Sequence, residues 1–304
     1  MKAMNRLLIG ALLAATLVLT SCGQPRYAQF GGYAQGGTWS VKANLAGVKA
    51  RPAEIQKTIE AILEEIDTTL SGYNKGSQLS RFNAGEAVEL SPMFKEVLAA
   101  ADRFKEETGG AVDCSAGAIF EKWGFGFGPG LNFNAIAQGY SCDKVAAYLY
   151  SIGVKDMLVD IGEIFCDGLN PSGKPWRVGV DRPKDGNNSP GADLDGIWES
   201  GGGPQGIVTS GNYRKFYIKD GAKYSHTIDP RTGYPVKHNL LSATIVAPTA
   251  MAADAYATYC MVIGVEAAKA FIESRDDLEG YLIYDEAGPG SECQWASPGF
   301  RLAQ

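Results

Sequence analysis

Apolar residues recur along the chain with two different periods, and those periods separate its elements. Over residues 52–70, Ile55, Ile59, Ile62, Leu63, Ile66 and Leu70 fall three and four apart, which predicts an amphipathic helix. Over 92–108, Phe94, Val97, Leu98, Ala101 and Phe104 predict a second helix, with Gly109-Gly110 as its stop. Further helices are predicted over 141–152, 250–263 and 265–274. Strands are predicted over 38–43, 157–161, 176–180, 207–210, 215–218 and 242–246, with a closing strand at 282–285. Residues 181–205 are rich in Gly, Pro, Asn and Asp and read as a long exposed excursion. No internal repeat shows and no Pro/Ser linker divides the chain. The pattern predicts one α+β domain over residues 36–304.

The N-terminus follows a different pattern. Lys2 and Arg6 precede an apolar run over residues 7–19, shorter than the roughly 20 residues that span a bilayer. Its length and flanks fit the apolar region of an export signal. The run ends in Leu19-Thr20-Ser21-Cys22, which resembles a bacterial lipobox. The expectation is a signal peptide at 1–21, an acylated Cys22 as the new N-terminus, and a flexible tether over 22–35. That places the protein on the periplasmic or extracytoplasmic face of a membrane, held by acyl chains. A plain signal peptide with a chance cysteine is the alternative.

Composition narrows the function. The chain has 304 residues, and 28 Lys+Arg against 34 Asp+Glu give a net charge of −6, without a basic run, which argues against a nucleic-acid partner. The cysteines after Cys22 are Cys114, Cys142, Cys166, Cys260 and Cys293. None forms a C-x-x-C pair and the chain has 2 histidines, so a zinc cluster is not expected. These cysteines read as small buried apolar residues.

Three segments carry candidate chemistry. In Tyr224-Ser225-His226-Thr227-Ile228-Asp229-Pro230-Arg231-Thr232-Gly233, His226 follows a strand-like stretch and precedes an Asp-Pro turn. A histidine there can act as a general base near neutral pH, or can be a structural residue bonded to the turn. His238 is the other histidine. In the second segment, Asp254 and Thr258 are i and i+4 on a predicted helix, so their oxygens share one face. A carboxylate and a hydroxyl there suit a hard cation such as Mg²⁺; the alternative is an Asp favoured by the helix terminus. The third segment, Asn134 to Tyr140 behind Gly128-Pro129-Gly130, opens a helix with small residues and can bring backbone amides against a phosphate.

Taken in order, these segments resemble the FAD:protein FMN transferases, the ApbE or flavin-trafficking lipoproteins. The resemblance runs from Gly36 to Gly264. Its motifs are Ser71-Gly72-Tyr73 with Ser77 to Asn83, Gly110-Ala111-Val112-Asp113, Trp123-Gly124-Phe125-Gly126, residues 135–140 and Val159-Asp160-Ile161-Gly162-Glu163. Thr209-Ser210-Gly211-Asn212-Tyr213, the His226 segment and residues 253–258 complete the set. The resemblance implies a single ApbE-like, T-fold-like α+β domain. It also implies Mg²⁺-dependent transfer of FMN from FAD to a Thr or Ser hydroxyl of a respiratory or electron-transfer flavoprotein, with release of AMP. By family position His226 is the base, and Mg²⁺ is held by Asp254, Thr258 and backbone oxygens near Ala135 and Ala257. FAD is lined by Gly36, Tyr73, Ala111, Val112, Asp113, Asn132, Gln138 and Ile228, with Tyr73 stacking on a ring system. Asp229 and Arg231 shape the loop. The chain departs from the family where Asn132 replaces an Asp, Gln138 a Lys or Glu, and Gly36 a Met, and where Gly162 stands for paired glycines. Two alternatives share the site: hydrolysis of FAD to FMN and AMP, and a non-catalytic flavin-binding lipoprotein.

Overall fold

The computed structural model describes residues 26–184, 186–187, 191–212, 216–219, 222–225, 227–288 and 290–303, the stretches 216–219 and 222–225 by their backbone alone. Cys22, His226 and the apolar run at 7–19 lie outside the described residues. In chain order the elements are β1 (Tyr27–Ala34), β2 (Gly37–Asn44), α1 (Pro52–Leu70), α2 (Gln78–Asn83), α3 (Pro92–Glu107), α4 (Gly117–Lys122) and α5 (Ala137–Ser151). There follow β3 (Met157–Asp160), β4 (Ile164–Asp167), β5 (Arg177–Asp181), β6 (Leu194–Glu199), β7 (Gln205–Gly211), β8 (Phe216–Lys219), β9 (Ala222–Ser225), β10 (Ile228–Asp229) and β11 (Tyr234–Pro235). The chain closes with β12 (Leu240–Ala247), α6 (Ala250–Ile263), α7 (Val265–Glu273), β13 (Glu279–Asp285) and β14 (Glu292–Ala296).

An 8-stranded sheet organises these elements, in the order β1-β2-β3-β4-β7-β12-β13-β14. Every neighbouring pair in it is antiparallel. That order contains a repeat the sequence does not show. Strands β1-β2, a helical crossover and β3-β4 form one half; β7-β12, a second helical crossover and β13-β14 form the other. Because adjacent strands alternate in direction, β1, β3 and β7 all end at the same edge of the sheet. The connections that leave those three ends therefore meet there.

Two apolar layers cover the sheet. On one face, Val41, Ala43, Met157 and Val159 pack under α1 and α5, while Val208, Ala243, Ile245 and Leu282 pack under α3, α6 and α7. On the other face, Ile207, Val246, Tyr281 and Ile283 meet Trp176, Val178, Val180 and Trp198 of the β5–β6 hairpin. Helix α1 buries Ile55, Ile59, Leu63, Ile66 and Leu70, the stripe its spacing foretold. Helix α3 starts where Ser91 accepts from the Phe94 N–H and Pro92 occupies the first turn. Among the described residues, no helix is long and apolar enough to cross a membrane.

Two expectations are corrected. The proposed tether over 22–35 includes β1, whose residues 27–34 pair along their whole length with β2 and bury Phe30. Within β1, Gly32 sits against the Trp39 indole, where a side chain would collide. The folded domain thus begins ahead of residue 36. The excursion over 181–205 contains β6, which buries Trp198 to 2% exposure. Four of the five cysteines are buried and none of the five is bridged, while Cys293 is half-buried.

Candidate active site

A cavity of about 790 Å³ opens at the edge where β1, β3 and β7 end, within the range typical of small-molecule sites. Each strand end contributes a wall. The β1–β2 connection is a two-residue turn, Gln35-Gly36, with φ of 52° and 81°; positive φ at both positions is the tight hairpin geometry that favours glycine. Gln35 Nε2 donates to Ser141 Oγ at 2.6 Å, and the serine hydroxyl donates in turn to the Ala137 carbonyl. This fastens the hairpin to the start of α5. Beyond β3, Glu163 reaches the cavity beside Gln138, whose Nε2 donates to the Ile161 carbonyl at 3.4 Å. At the end of β7, Thr209, Ser210 and Gly211 form the third side.

The long crossover between β2 and β3 supplies the opposite wall through Asp67, Tyr73, Ala111, Val112, Asp113, Asn132 and Ala135. Tyr73 is 69% exposed and meets Phe127 edge-on at 5.1 Å, so its free face stands at the mouth. The Asn132 side-chain carbonyl accepts from the Asn134 N–H at 3.0 Å. Its amide nitrogen has no protein partner among the described residues and is left as a donor at a cavity-lining position. Asp113 is partly buried, which works against its charge. Bonds from Ser115 and an ion pair with Lys105 at 2.9 Å outweigh that and hold the carboxyl below its usual range.

Helix α6 carries the deepest charge. Asp254 is 6% exposed, lines the cavity, and accepts from the Gly139 N–H at 3.2 Å through Oδ2. No described cation pairs with it. Burial pushes its carboxyl above the usual range, the Gly139 N–H works the other way, and the Asp143 charge adds to the rise. Thr258, one turn on, also lines the cavity. A buried carboxylate with one oxygen unpaired among the described residues, a hydroxyl and nearby main-chain carbonyls form an all-oxygen donor set, which fits a hard divalent cation. Ala257 is fully buried and does not line the cavity. Among the described residues, no group of three or more His, Cys, Asp or Glu is placed to hold a metal.

The His226 segment is anchored just beyond its histidine. Thr227, Ile228 and Pro230 line the cavity. Strands β10 and β11 pair Ile228 with Pro235 and Asp229 with Tyr234. Inside their turn, Arg231 donates to both oxygens of Asp229 at 2.9 Å, and the Trp123 indole donates to the Gly233 carbonyl at 2.8 Å. Asp229 and Arg231 are therefore committed to each other, and shape the loop. His238 stands apart from the cavity with both ring nitrogens engaged: Nδ1 accepts from the Leu240 N–H and Nε2 faces the Met261 carbonyl at 2.8 Å. Burial lowers its pKa from the ordinary histidine value.

The matches to known proteins fall on this same frame. The ApbE family profile matches residues 35–131 and 128–282. The chain belongs to the ApbE family. It is 32% identical to the FAD:protein FMN transferase of Escherichia coli (strain K12), over 96% of this chain and 95% of that one. It is 32% identical to the protein of that name in Vibrio cholerae serotype O1, over 86% and 89%. Among solved structures, Flavin Transferase ApbE from Vibrio cholerae superposes with a TM-score of 0.77 at 30% identity, covering 91% of this chain and 98% of that one. The apo flavinyl transferase ApbE of Pseudomonas stutzeri gives 0.77 at 29%, covering 91% and 96%.

The cavity gathers every described residue that the ApbE resemblance assigned to nucleotide or metal, apart from Ala257. It also includes Gln35, Asp67 and Glu163, none of which has a role in the sequence reading. Gln35 carries one signal in retrospect, because it precedes Gly36 at a point where the alternating pattern breaks. Asp67 sits on the polar side of α1 and carries none. The alternative for Asp254, service to the start of its own helix, does not hold. In the structure it caps α5, and the start of α6 is served by Thr249 and Asp143.

Proposed function

We propose that this ApbE-family protein transfers FMN from FAD to a Thr or Ser hydroxyl of an acceptor flavoprotein and releases AMP. The observation that carries this reading is the convergence, in one cavity, of a buried carboxylate without a cationic partner among the described residues and aromatic and backbone walls suited to a dinucleotide. Relatives named FAD:protein FMN transferase along nearly the whole chain support it.

In this reading the acceptor hydroxyl oxygen bonds to the phosphorus of the FMN half, the bond from that phosphorus to the bridging oxygen breaks, and AMP leaves with the bridging oxygen. His226 takes the hydroxyl proton. His238 is unsuited to that role because both of its nitrogens are bonded away from the cavity. A divalent cation such as Mg²⁺, held by Asp254, Thr258 and carbonyls at Ala135 and Ala257, spreads the pyrophosphate charge when bound. Tyr73 and Phe125 offer ring faces, Gly36 and the Ala111-Val112-Asp113 turn allow close approach, and Asn132, Gln138 and Ile228 complete the nucleotide walls. Asn132 presents an N–H donor, so it pairs with an acceptor atom of the nucleotide.

The export reading belongs to the same proposal: a lipid on Cys22 holds the enzyme at the extracytoplasmic membrane face, where exported acceptors lie. Cys22→Ser then moves the protein to the soluble fraction; a variant still carrying lipid contradicts the anchor. Incubation with FAD and Mg²⁺, with and without an acceptor domain, tests the reaction. Transfer gives acceptor-bound flavin fluorescence and stoichiometric AMP. AMP without an acceptor identifies a hydrolase, and neither product identifies a flavin binder.

A further inference from the structure

Helices α5 and α6 cap each other. Helix α5 has no side-chain cap at its own N-terminus; its third N–H, Gly139, donates to Asp254 of α6. In return, the first two N–H groups of α6 donate to Asp143 of α5, Ala250 to Oδ1 at 2.8 Å and Met251 to Oδ2 at 2.9 Å. Thr249 serves the next, Ala252, at 3.1 Å. The free donors of a helix start must find partners, and here each helix draws on a carboxylate of the other. The arrangement is reciprocal in register too, since Asp143 follows Gly139 by one turn and Asp254 follows Ala250 by one turn. It closes only because residue 139 is glycine: a Cβ there would stand 2.3 Å from the Ala250 carbonyl oxygen.

We propose that Asp143 is a positioning residue for Asp254. Its two bonds fix the first turn of α6 on α5, and so fix the direction in which the Asp254 carboxylate faces the cavity. Asp143 does not itself line the cavity, so its effect on a ligand passes through Asp254. Both of its oxygens are used on α6, whereas Asp254 keeps Oδ1 without a partner among the described residues. A loosened α6 lets Asp254 leave the Gly139 N–H and scatters the orientation of that free oxygen. The proposal rests on the cation reading of Asp254, and it assigns the tightness of the cation to a residue outside the site. Groups that orient metal ligands commonly contribute about 10–100-fold to metal affinity.

The test is Mn²⁺ binding to the purified protein by electron paramagnetic resonance, without FAD, beside a thermal melt. Asp143→Asn keeps the size of the side chain but turns an amide N–H towards one of the α6 N–H groups. It is expected to weaken Mn²⁺ binding about tenfold. Thr249→Ala removes the other cap of α6 and should leave Mn²⁺ affinity within about twofold while lowering the melting temperature. Asp254→Asn, which removes the carboxylate charge itself, should weaken Mn²⁺ binding further than Asp143→Asn does. Wild-type affinity in Asp143→Asn, or an equal loss in Thr249→Ala, overturns the proposal. Absence of saturable Mn²⁺ binding in the wild type overturns the cation reading itself, and the proposal with it. Should Asp143→Asn fail to fold, the wild type still decides the matter by hydrogen exchange. Coupling is reciprocal, so saturating Mg²⁺ must slow exchange of the Ala250 and Met251 amides, and unchanged exchange there overturns the proposal.

Discussion

The two halves of the sheet share a strand order and spend their connecting chain in opposite places. In the first half the β1–β2 connection is two residues, Gln35-Gly36, while the β2–β3 crossover runs over 45–156 and holds α1 to α5. In the second, the β7–β12 connection runs over 212–239 and holds the His226 segment, while the β12–β13 crossover over 248–278 holds only α6 and α7. The first half thus supplies most of the cavity wall, with Asp67, Asp113 and Glu163 among its residues. The second supplies Asp254, the most deeply buried charge at the cavity, and its long connection carries His226 in the sequence. One topology supports both because each half leaves its hairpin connections at the same edge of the sheet.

The largest effect expected from this division lies in the long connection of the second half. His226→Ala should lower FMN transfer by about 10²–10⁴-fold, the usual contribution of a general base, with FAD affinity held within about tenfold. The matching change in the first half is Gln35→Gly, which suits the positive φ and removes only the Ser141 contact; transfer should stay within about threefold. Equal losses in steady-state kinetics of the two variants would erase the distinction between the halves.

Next comes the charge on α6. Asp254→Asn preserves an oxygen for the Gly139 N–H but removes the carboxylate charge. Transfer measured against Mg²⁺ concentration should shift to higher Mg²⁺ and recover in part at saturation. Coincident curves for the two proteins would leave Asp254 as a cap of α5 alone.

The seam between the halves is tested by Gly139→Ala. The added methyl would press on the Ala250 backbone, which cannot turn aside as a side chain can. A cost of about 1–3 kcal/mol is expected, read as a lowered denaturation midpoint in urea. Gly203→Ala, with open space at its Cβ, should be neutral. A Gly139→Ala midpoint equal to that of Gly203→Ala would show that the helices do not cross there.

The smallest effect belongs to the mouth. Tyr73→Ala should weaken FAD binding about tenfold, or about 1.4 kcal/mol, with little change in turnover at saturating FAD. A fall in turnover with unchanged affinity would move Tyr73 from the ligand wall to the chemistry.

Local periodicity revealed what is local. The 3- and 4-residue spacing of Ile55 to Leu70 gave α1 end to end, and Ser91-Pro92 marked the start of α3. Where long-range packing overrides propensity, the signal failed. The first turn of α5, residues 137–140, contains Gly139, a poor helix former that is there for the crossing with Ala250. Strand β1 was hidden by glycines that make room for Trp39, and β6 by the polar turns around it. In the site, Asp254 and Thr258 were legible as one face of a helix. The partner of Asp254 on α5 was not, because nothing in a sequence relates residues 139 and 254. Asp143 reads in sequence as an ordinary polar helix residue, and only the fold gives it α6 to hold.

Movement of FMN from this cavity onto a protein hydroxyl would be registered by intact-mass analysis of an acceptor domain. After incubation with the purified protein, FAD and Mg²⁺, the acceptor should gain the mass of FMN less one water, mapped by peptide sequencing to a single Thr or Ser. The gain should disappear with His226→Ala. An acceptor of unchanged mass while FAD is consumed to FMN and AMP, or a gain undiminished in that variant, would contradict the account.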